Sequence, residues 1–261
     1  MWEKELEVAK TCAIEAGKAI MEIYADETLF HVEYKKDASP LTAADKASNE
    51  IILKALKGAF PSYAVLSEEE KDSKERLENK FCFIVDPLDG TKEFVKRNGQ
   101  FTVNIALAYQ KKTVMGVIYV PVTGELYYAV QGMGAWKKVE NEDSDIRLHV
   151  SDNTNVRELR VVMSGSHGCA QMDELIEKYG WKHFVKVGSS IKGCMIASGE
   201  ADIYYRYNPT MEWDTAAMQC IVEEAGGIFR QMDDTQMLYN RENSLNDKGF
   251  YAINQEENRL W

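Results

Sequence analysis

Two carboxylates three residues apart, Asp86 and Asp89, stand in the stretch Asp86-Pro87-Leu88-Asp89-Gly90-Thr91, directly after the apolar run Phe81-Cys82-Phe83-Ile84-Val85. Anions folded toward one point repel each other and are tolerated where a cation lies between them, so the spacing points to a hard-metal site fed by oxygen ligands. Gly90 lets the backbone approach a ligand closely, and Thr91 begins a stretch that can turn helical and aim its free N–H groups at an anion. Metal and phosphate would then meet at one turn. Asp, Pro and Gly also dominate ordinary surface turns, so the stretch alone has two explanations. Further acids separate them: Asp45, Glu68 in Ser67-Glu68-Glu69-Glu70, and Asp214 in Glu212-Trp213-Asp214-Thr215-Ala216-Ala217. Each also has a local account, since an acid in a first helical turn suits capping and the macrodipole, and a charged run is usually a solvated loop. Trp213 and the small Ala216 and Ala217 suggest a helix end held tightly against a partner, and the metal turn is the candidate.

The elements that must hold these acids follow from periodicity. Phe81–Val85 is β-branched and aromatic and too short for a helix of normal length, which predicts a strand buried on both faces and ending at Asp86, because Pro87 removes a ladder donor. Leu6, Ala9, Ala13, Ala16, Ile20 and Ile23 recur at helical spacing, predicting a helix from about Glu3 to Tyr24. Thr42 reads as the N-cap of a second helix with Ile51, Ile52, Ala55 and Leu56 on its apolar face and Asp45 in its first turn. Residues 101–109, 113–120 and 125–130 read as consecutive strands joined by short turns, an antiparallel meander. The polar stretch from Val139 to Ile146 marks an internal boundary. Beyond it, strands and helices alternate: strands at 158–164, 183–186 and 201–206, helices at 170–179, 190–198 and 214–225, and late strands near 227–230 and 249–253. The expectation is an α+β half over residues 1–145 carrying the metal turn and an α/β half over 146–261 carrying substrate-selecting residues.

Composition narrows the function. A chain of 261 residues with a formal charge of −11 has no basic surplus to displace phosphate counterions, which argues against a nucleic-acid polymer as partner. An anionic substrate must be met by bound metal or a few placed basic residues. Cys12, Cys82, Cys169, Cys194 and Cys220 are odd in number and form no C-x-x-C pair, which fits reduced thiols in the cytoplasm. The sequence starts without a signal-peptide pattern and has no apolar run near the ~20 residues of a membrane span. Cytoplasmic localisation is expected, with peripheral membrane association and the choice between monomer and homodimer left open.

The two separated motifs, Asp86-Pro87-Leu88-Asp89-Gly90-Thr91 and Trp213-Asp214-Thr215-Ala216-Ala217, together resemble the signatures of the inositol monophosphatase-like, lithium-sensitive, magnesium-dependent phosphatases. Leu41-Thr42-Ala43-Ala44-Asp45 and Ser67-Glu68-Glu69 stand in the expected order, so the resemblance covers essentially the whole chain. Asp89-Gly90-Thr91-Lys92-Glu93-Phe94, Phe101-Thr102-Val103-Asn104-Ile105-Ala106 and Gly188-Ser189-Ser190-Ile191-Lys192 look most like the bacterial 3′(2′),5′-bisphosphate nucleotidases of the CysQ type. The resemblance implies the layered αβαβα sandwich of the inositol monophosphatase/fructose-1,6-bisphosphatase type. It also implies Glu68, Asp86 and the Leu88 carbonyl on one Mg²⁺, Asp86, Asp89 and Asp214 on a second, and a third, looser ion on Glu68 through waters. Two metals ~3.5–4 Å apart suit an in-line displacement, clamping the attacking water and the leaving oxygen. Thr91, hydrogen-bonded to Asp45, is by the same resemblance the activator of the nucleophilic water, with no covalent phosphoenzyme.

Relatives that take a bisphosphorylated nucleotide hold the uncleaved phosphate with basic and hydroxyl residues. The matching positions are His167, Ser189, Lys192 and Arg206, with Asp89, Gly90 and Thr91 at the reacting phosphate. Inositol monophosphatases place an acid near position 206 to bind ring hydroxyls; Arg206-Tyr207 here favours a second phosphate. Met218 departs from the glycine that commonly follows the Ala-Ala pair and is expected to enter helix packing, changing shape rather than chemistry. The resulting expectation is Mg²⁺-dependent hydrolysis of the 3′-phosphate of 3′-phosphoadenosine 5′-phosphate to AMP, in sulfur metabolism. The alternatives are an inositol monophosphatase or sugar-phosphate phosphatase, and a metal-dependent nucleotide-binding protein without turnover.

Overall fold

The computed structural model describes residues 2–26, 32–34, 40–139, 142–165 and 170–260. The first half runs α1 (Glu3–Ala25), β1 (Val32–Tyr34), β2 (Pro40–Thr42), α2 (Ala43–Ala59), β3 (Ala64–Ser67), β4 (Phe81–Asp89), α3 (Thr91–Val95), β5 (Thr102–Tyr109), β6 (Lys112–Val120), β7 (Glu125–Val130), β8 (Gly134–Val139) and β9 (Ile146–Arg147). The second runs β10 (Val161–Ser164), α4 (Ala170–Tyr179), β11 (Phe184–Val187), α5 (Ile191–Ala197), β12 (Ile203–Arg206), β13 (Thr210–Met211), α6 (Glu212–Glu224), β14 (Ile228–Gln231), β15 (Leu245–Asn246) and β16 (Phe250–Ile253).

Strands β3 to β9 form a seven-stranded sheet in sequence order, and β11-β10-β12-β16-β14 a five-stranded mixed sheet. Alternation along β4 shows why the first sheet is a middle layer. Phe83, Val85 and Leu88 pack with Leu6, Ala9, Ile20, Ile52 and Leu56 of α1 and α2, whereas Cys82 and Ile84 face a core shared with Ala216, Ala217 and Ile221 of α6. A strand with apolar side chains on both faces cannot be left half-solvated; each fully buried side chain of this kind contributes about 1.5–3 kcal/mol. The five-stranded sheet is a middle layer for the same reason. Tyr204 faces the α6 side, while Ile203 and Tyr205 meet Met172 and its neighbours on α4. The five layers are therefore α1/α2, the seven-stranded sheet, α5/α6, the five-stranded sheet and α4, a mixed α/β sandwich as expected.

Two local readings change. The strand predicted to stop at Asp86 continues to Asp89 through a bulge: pairing passes from Asp86↔Asn104 to Asp89↔Thr102, so three residues on β4 span what two span on β5. Pro87 is tolerated there because a bulge needs no ladder donor at that point. The groups displaced from the ladder find other partners, with Leu88 N–H donating to Asp86 Oδ1 at 3.1 Å and Ser48 Oγ to the Pro87 carbonyl at 2.6 Å. Strands β8 and β9, absent from the sequence reading, extend the meander on its far edge, and Trp136↔Arg147 and Lys137↔Ile146 pair around the polar stretch. Ahead of α2, Val32–Tyr34 pairs antiparallel with Pro40–Thr42. Of the cysteines, Cys12, Cys82, Cys194 and Cys220 are buried free thiols, and no described helix is long and apolar enough to cross a membrane.

Candidate active site

Helix α2 starts as its sequence predicts. Thr42 Oγ1 accepts the Ala44 N–H at 3.2 Å, while Asp45, third in the helix, reaches back to accept the Thr42 N–H at 2.7 Å and the Thr42 hydroxyl at 2.6 Å. Asp214 repeats the device as third residue of α6, accepting the Met211 N–H at 2.6 Å. Capping thus does part of what each acid's local reading supposed, but both carboxylates retain oxygen lone pairs for other partners.

The bulge in β4 aims Asp86 and Asp89 at the first turn of α6. Oxygens of Asp86, Asp89 and Asp214 lie within 4.8 Å of one another. Helix α6 can come this close to the sheet because Gly116 on β6 has no side chain: a Cβ there would stand 2.6 Å from the Ala217 carbonyl. The small Ala216 and Ala217 serve this approach. Gly90, at φ +94°, turns the chain from β4 into α3 in a conformation that other residues rarely adopt, and a Cβ would also stand 2.9 Å from the Gln100 carbonyl.

Asp86, Asp89, Gly90 and Asp214 line a cavity of about 310 Å³ between the sheets, together with Glu68, Leu88, Thr91, Ser189, Lys192 and Arg206. Asp45 is behind this wall and touches it through Thr91, whose Oγ1 donates to Asp45 Oδ1 at 3.1 Å. Glu68 reaches the cavity where β3 ends, its N–H bonded to the Val85 carbonyl at 3.2 Å. The chain therefore brings together Glu68, Asp86, Leu88, Asp89, Gly90, Thr91, Ser189, Lys192, Arg206 and Asp214. His167 lies outside the described residues.

Electrostatics set the first constraint on what binds. Burial pushes the Asp86 carboxyl well above the ordinary carboxylate range, and the facing charges of Glu68, Asp89, Asp214 and Asp45 push it further. Asp214 is raised by burial and by Asp89. Asp45 is raised by burial against the opposing hydrogen bonds from Thr42 and Thr91. Three converging carboxylates with a nearby backbone carbonyl, and no imidazole or thiolate among them, form an all-oxygen donor set that fits a hard divalent cation such as Mg²⁺. The same cation would relieve the repulsion that, after burial, raises Asp86 and Asp214.

The opposite wall is cationic. Lys192 is buried, with its Nζ donating to the Ser189 carbonyl at 2.5 Å and the Val187 carbonyl at 3.3 Å, and burial lowers its pKa to about 8. It therefore fixes the loop bearing Ser189 as well as adding charge to the cavity. Among the described residues, the buried Arg206 Nε and Ser189 Oγ have no hydrogen-bond partner, which is costly for polar groups unless a ligand answers them.

Three residues that the sequence reading quoted without a role hold Asp89. Ser190 Oγ donates to Asp89 Oδ2 at 2.7 Å, and Asn104 Nδ2 reaches Ser190 Oγ at 2.9 Å and Asp89 Oδ2 at 3.3 Å. Thr102 Oγ1 orients Asn104 by donating to its Oδ1 at 2.9 Å. The only sequence signal was polar side chains at 102 and 104 on one face of an otherwise apolar strand. Met218 is buried on the cavity side of α6 against Gly193 of α5, where a Cβ would stand 2.1 Å from Met218 Cγ; it enters helix packing as expected.

A model of the inositol monophosphatase family matches residues 1–259. The 3′(2′),5′-bisphosphate nucleotidase CysQ of Salmonella typhimurium is 41% identical over 249 residues, covering 94% of this chain and 98% of that protein. Its Buchnera aphidicola namesake is 38% identical over 255 residues, covering 97% and 94%. Among solved structures, CysQ from Bacteroides thetaiotaomicron, described as a bacterial member of the inositol monophosphatase family, superposes with a TM-score of 0.84 at 39% identity, over 98% of this chain and 99% of that one. A Thermotoga maritima IMPase shares the fold with a TM-score of 0.80 at 23% identity, over 96% and 92%.

Proposed function

This chain belongs to the inositol monophosphatase family, and we propose that it is a metal-dependent phosphatase that removes one phosphate from a bisphosphorylated nucleotide. The substrate we assign is 3′-phosphoadenosine 5′-phosphate, cleaved at its 3′-phosphate to AMP and inorganic phosphate, with two to three Mg²⁺ ions as cofactor. One observation carries the reading: three converging carboxylates share a cavity with Arg206 Nε and Ser189 Oγ, two buried donors without partners among the described residues. A substrate with one reacting phosphate and a second anion answers both ends. The nucleotidase names of relatives near 40% identity support the nucleotide over a polyol.

Asp86, Asp89, Asp214, the Leu88 carbonyl and Glu68 would hold the cations, with residues 1–145 supplying most of that set and 146–261 the selecting residues. When bound, divalent cations supply charge neutralisation at the reacting phosphate and lower the pKa of water. Thr91 donates its hydroxyl proton to Asp45 and keeps lone pairs for a water on the cavity side. As that water attacks phosphorus, its proton passes to Thr91 Oγ1 while the Thr91 proton moves to Asp45; the bond from phosphorus to the 3′ oxygen breaks, and that oxygen takes a proton from solvent water to leave as the 3′-hydroxyl of AMP. Asp45 is suited to receive it because burial already raises its proton affinity. Thr42 holds Asp45 in place through both its N–H and its hydroxyl. The Arg206 fork and the Ser189 hydroxyl bind the phosphate that stays, and Lys192 keeps the Ser189 loop in position.

The test is phosphate release, with Mg²⁺, from 3′-phosphoadenosine 5′-phosphate beside inositol 1-phosphate, using the wild type and Asp89→Asn. Preference for the nucleotide, lost in the variant, supports the proposal. Preference for the inositol ester would keep the cation site and remove the role given to Arg206 and Ser189, and phosphate release by neither would favour nucleotide binding without turnover.

A further inference from the structure

A buried polar chain links the segment after Glu68 to the first turn of α6 and takes no part in the chemistry above. Glu212 is fully buried two residues before Asp214, and its carboxylate accepts the N–H groups of Asn240 at 2.6 Å and Arg241 at 3.0 Å. Asn240, held at φ +54°, turns its side chain toward Arg76: Arg76 Nη1 donates to Asn240 Oδ1 at 2.8 Å, and Asn240 Nδ2 donates to the Arg76 carbonyl at 2.9 Å. Arg76 is itself buried and grips Asp72 with a two-pronged contact, Nε at 3.0 Å and Nη2 at 2.8 Å. Asp72 follows Glu68 by four residues.

Burying a carboxylate and a guanidinium is expensive unless their hydrogen-bonding groups are answered. Apolar contacts would anchor a surface loop at lower cost. What the polar chain provides instead is geometry, because each contact has a fixed direction and length. Further bonds lock the same helix end: the Glu212 N–H donates to the Ser244 carbonyl at 2.9 Å, and Asn246 Nδ2 donates to the Met211 carbonyl at 2.8 Å. Glu68 and Asp214 come from different halves of the chain yet must stand across one cavity.

We propose that Arg76, Asn240 and Glu212 are positioning residues that set the separation of Glu68 and Asp214, and through it the affinity of the cavity for a divalent cation. The inference rests on the cation-dependent reading above.

The experiment compares wild type, Glu212→Gln and Arg76→Lys with Asp202→Asn. Asp202 is equally buried and accepts hydrogen bonds from Arg160, Ser151 and Asn153, but it does not line the cavity. Thermal melting titrated with Mg²⁺ gives an apparent dissociation constant without turnover, and phosphate release gives kcat at saturating Mg²⁺. Glu212→Gln sets an amide N–H against a backbone donor, and Arg76→Lys loses the fork. Both should weaken Mg²⁺ binding about tenfold or more, as loss of outer partners of metal ligands does, while kcat at saturation stays within about threefold. Asp202→Asn should lower the melting temperature in chelator and leave the Mg²⁺ constant unchanged. Unchanged Mg²⁺ binding in the first two, or the same weakening in Asp202→Asn, overturns the proposal. If Glu212→Gln does not fold, Arg76→Lys carries the comparison. A wild type whose melting ignores Mg²⁺ would instead sink the cation-dependent reading, and this inference with it.

Discussion

Thr91 and Asp45, 46 residues apart in sequence, meet through a 3.1 Å hydrogen bond at the cavity wall. Asp45 has no direct access to the cavity, so any proton it receives must come through the threonine hydroxyl. Thr91→Ala and Asp45→Asn should therefore each cut kcat by about 100- to 10,000-fold, the span associated with general acid–base groups. Thr91→Ser, which keeps the hydroxyl, should retain most of the activity. Steady-state phosphate release checks this, and a Thr91→Ala enzyme with near wild-type kcat would remove the relay.

Metal removal has a pH signature. In the metal-free chain Asp86 and Asp214 titrate above their ordinary range, through burial first and then facing charges. The folded state thus binds protons that the unfolded chain has already released, and its stability falls as pH rises from the ordinary carboxylate range through the raised values. A cation competes with those protons, so the melting-temperature gain from Mg²⁺ should grow between about pH 5.5 and about pH 8.5. Melting in chelator and in Mg²⁺ across that range measures the gain; a gain that shrinks with pH contradicts the cluster as the binding site.

Arg206 should act on substrate choice rather than on chemistry. Arg206→Ala removes a charged donor worth about 1.5–3 kcal/mol, so KM for 3′-phosphoadenosine 5′-phosphate should rise roughly 10- to 100-fold. Hydrolysis of inositol 1-phosphate, if measurable, should be spared. Equal losses on both substrates would argue that Arg206 supports the site as a whole.

Met218 and Gly193 form a fitted pair between α5 and α6, with no room for a Cβ at Gly193. Met218→Ala should cost about 2–5 kcal/mol by leaving a cavity, and Gly193→Ala about 1–3 kcal/mol by overpacking. In the double variant the added methyl occupies space that the methionine has vacated, so the double variant should cost less than the sum of the two single costs. Denaturant unfolding of all four proteins gives the coupling, and strict additivity would mean that the two residues do not share their space.

The acidic turn of residues 86–91 and the second motif were legible as neighbours because their carboxylates are concentrated in short stretches flanked by chemically distinctive residues. The capping role of Thr42 and the first-turn positions of Asp45 and Asp214 followed from local rules for the same reason. The continuation of β4 past Pro87 was hidden, since proline forbids a ladder donor and only the pairing with β5 reveals that a bulge absorbs it. Strand β8 was missed because Lys137 and Lys138 break the apolar pattern on a strand flanked by only the two-residue β9 at the sheet's end. Ser190, Asn104, Arg76 and Glu212 carry no signal of their role in a single sequence. Their partners stand up to 168 residues away, and polar side chains on strands and loops are common without any such task.

Helix α6 draws Asp214 from the last quarter of the chain to a bulge completed by residue 89, with a whole layer of the sandwich formed around it. During synthesis, a ribosome must release most of the polypeptide before the three carboxylates can assemble. An emerging first half therefore exposes Asp86 and Asp89 without their third companion. Catalytic competence is then a late event in the life of each molecule, and a nick that lets α6 slip from between its sheets would silence the enzyme while leaving the earlier strands paired.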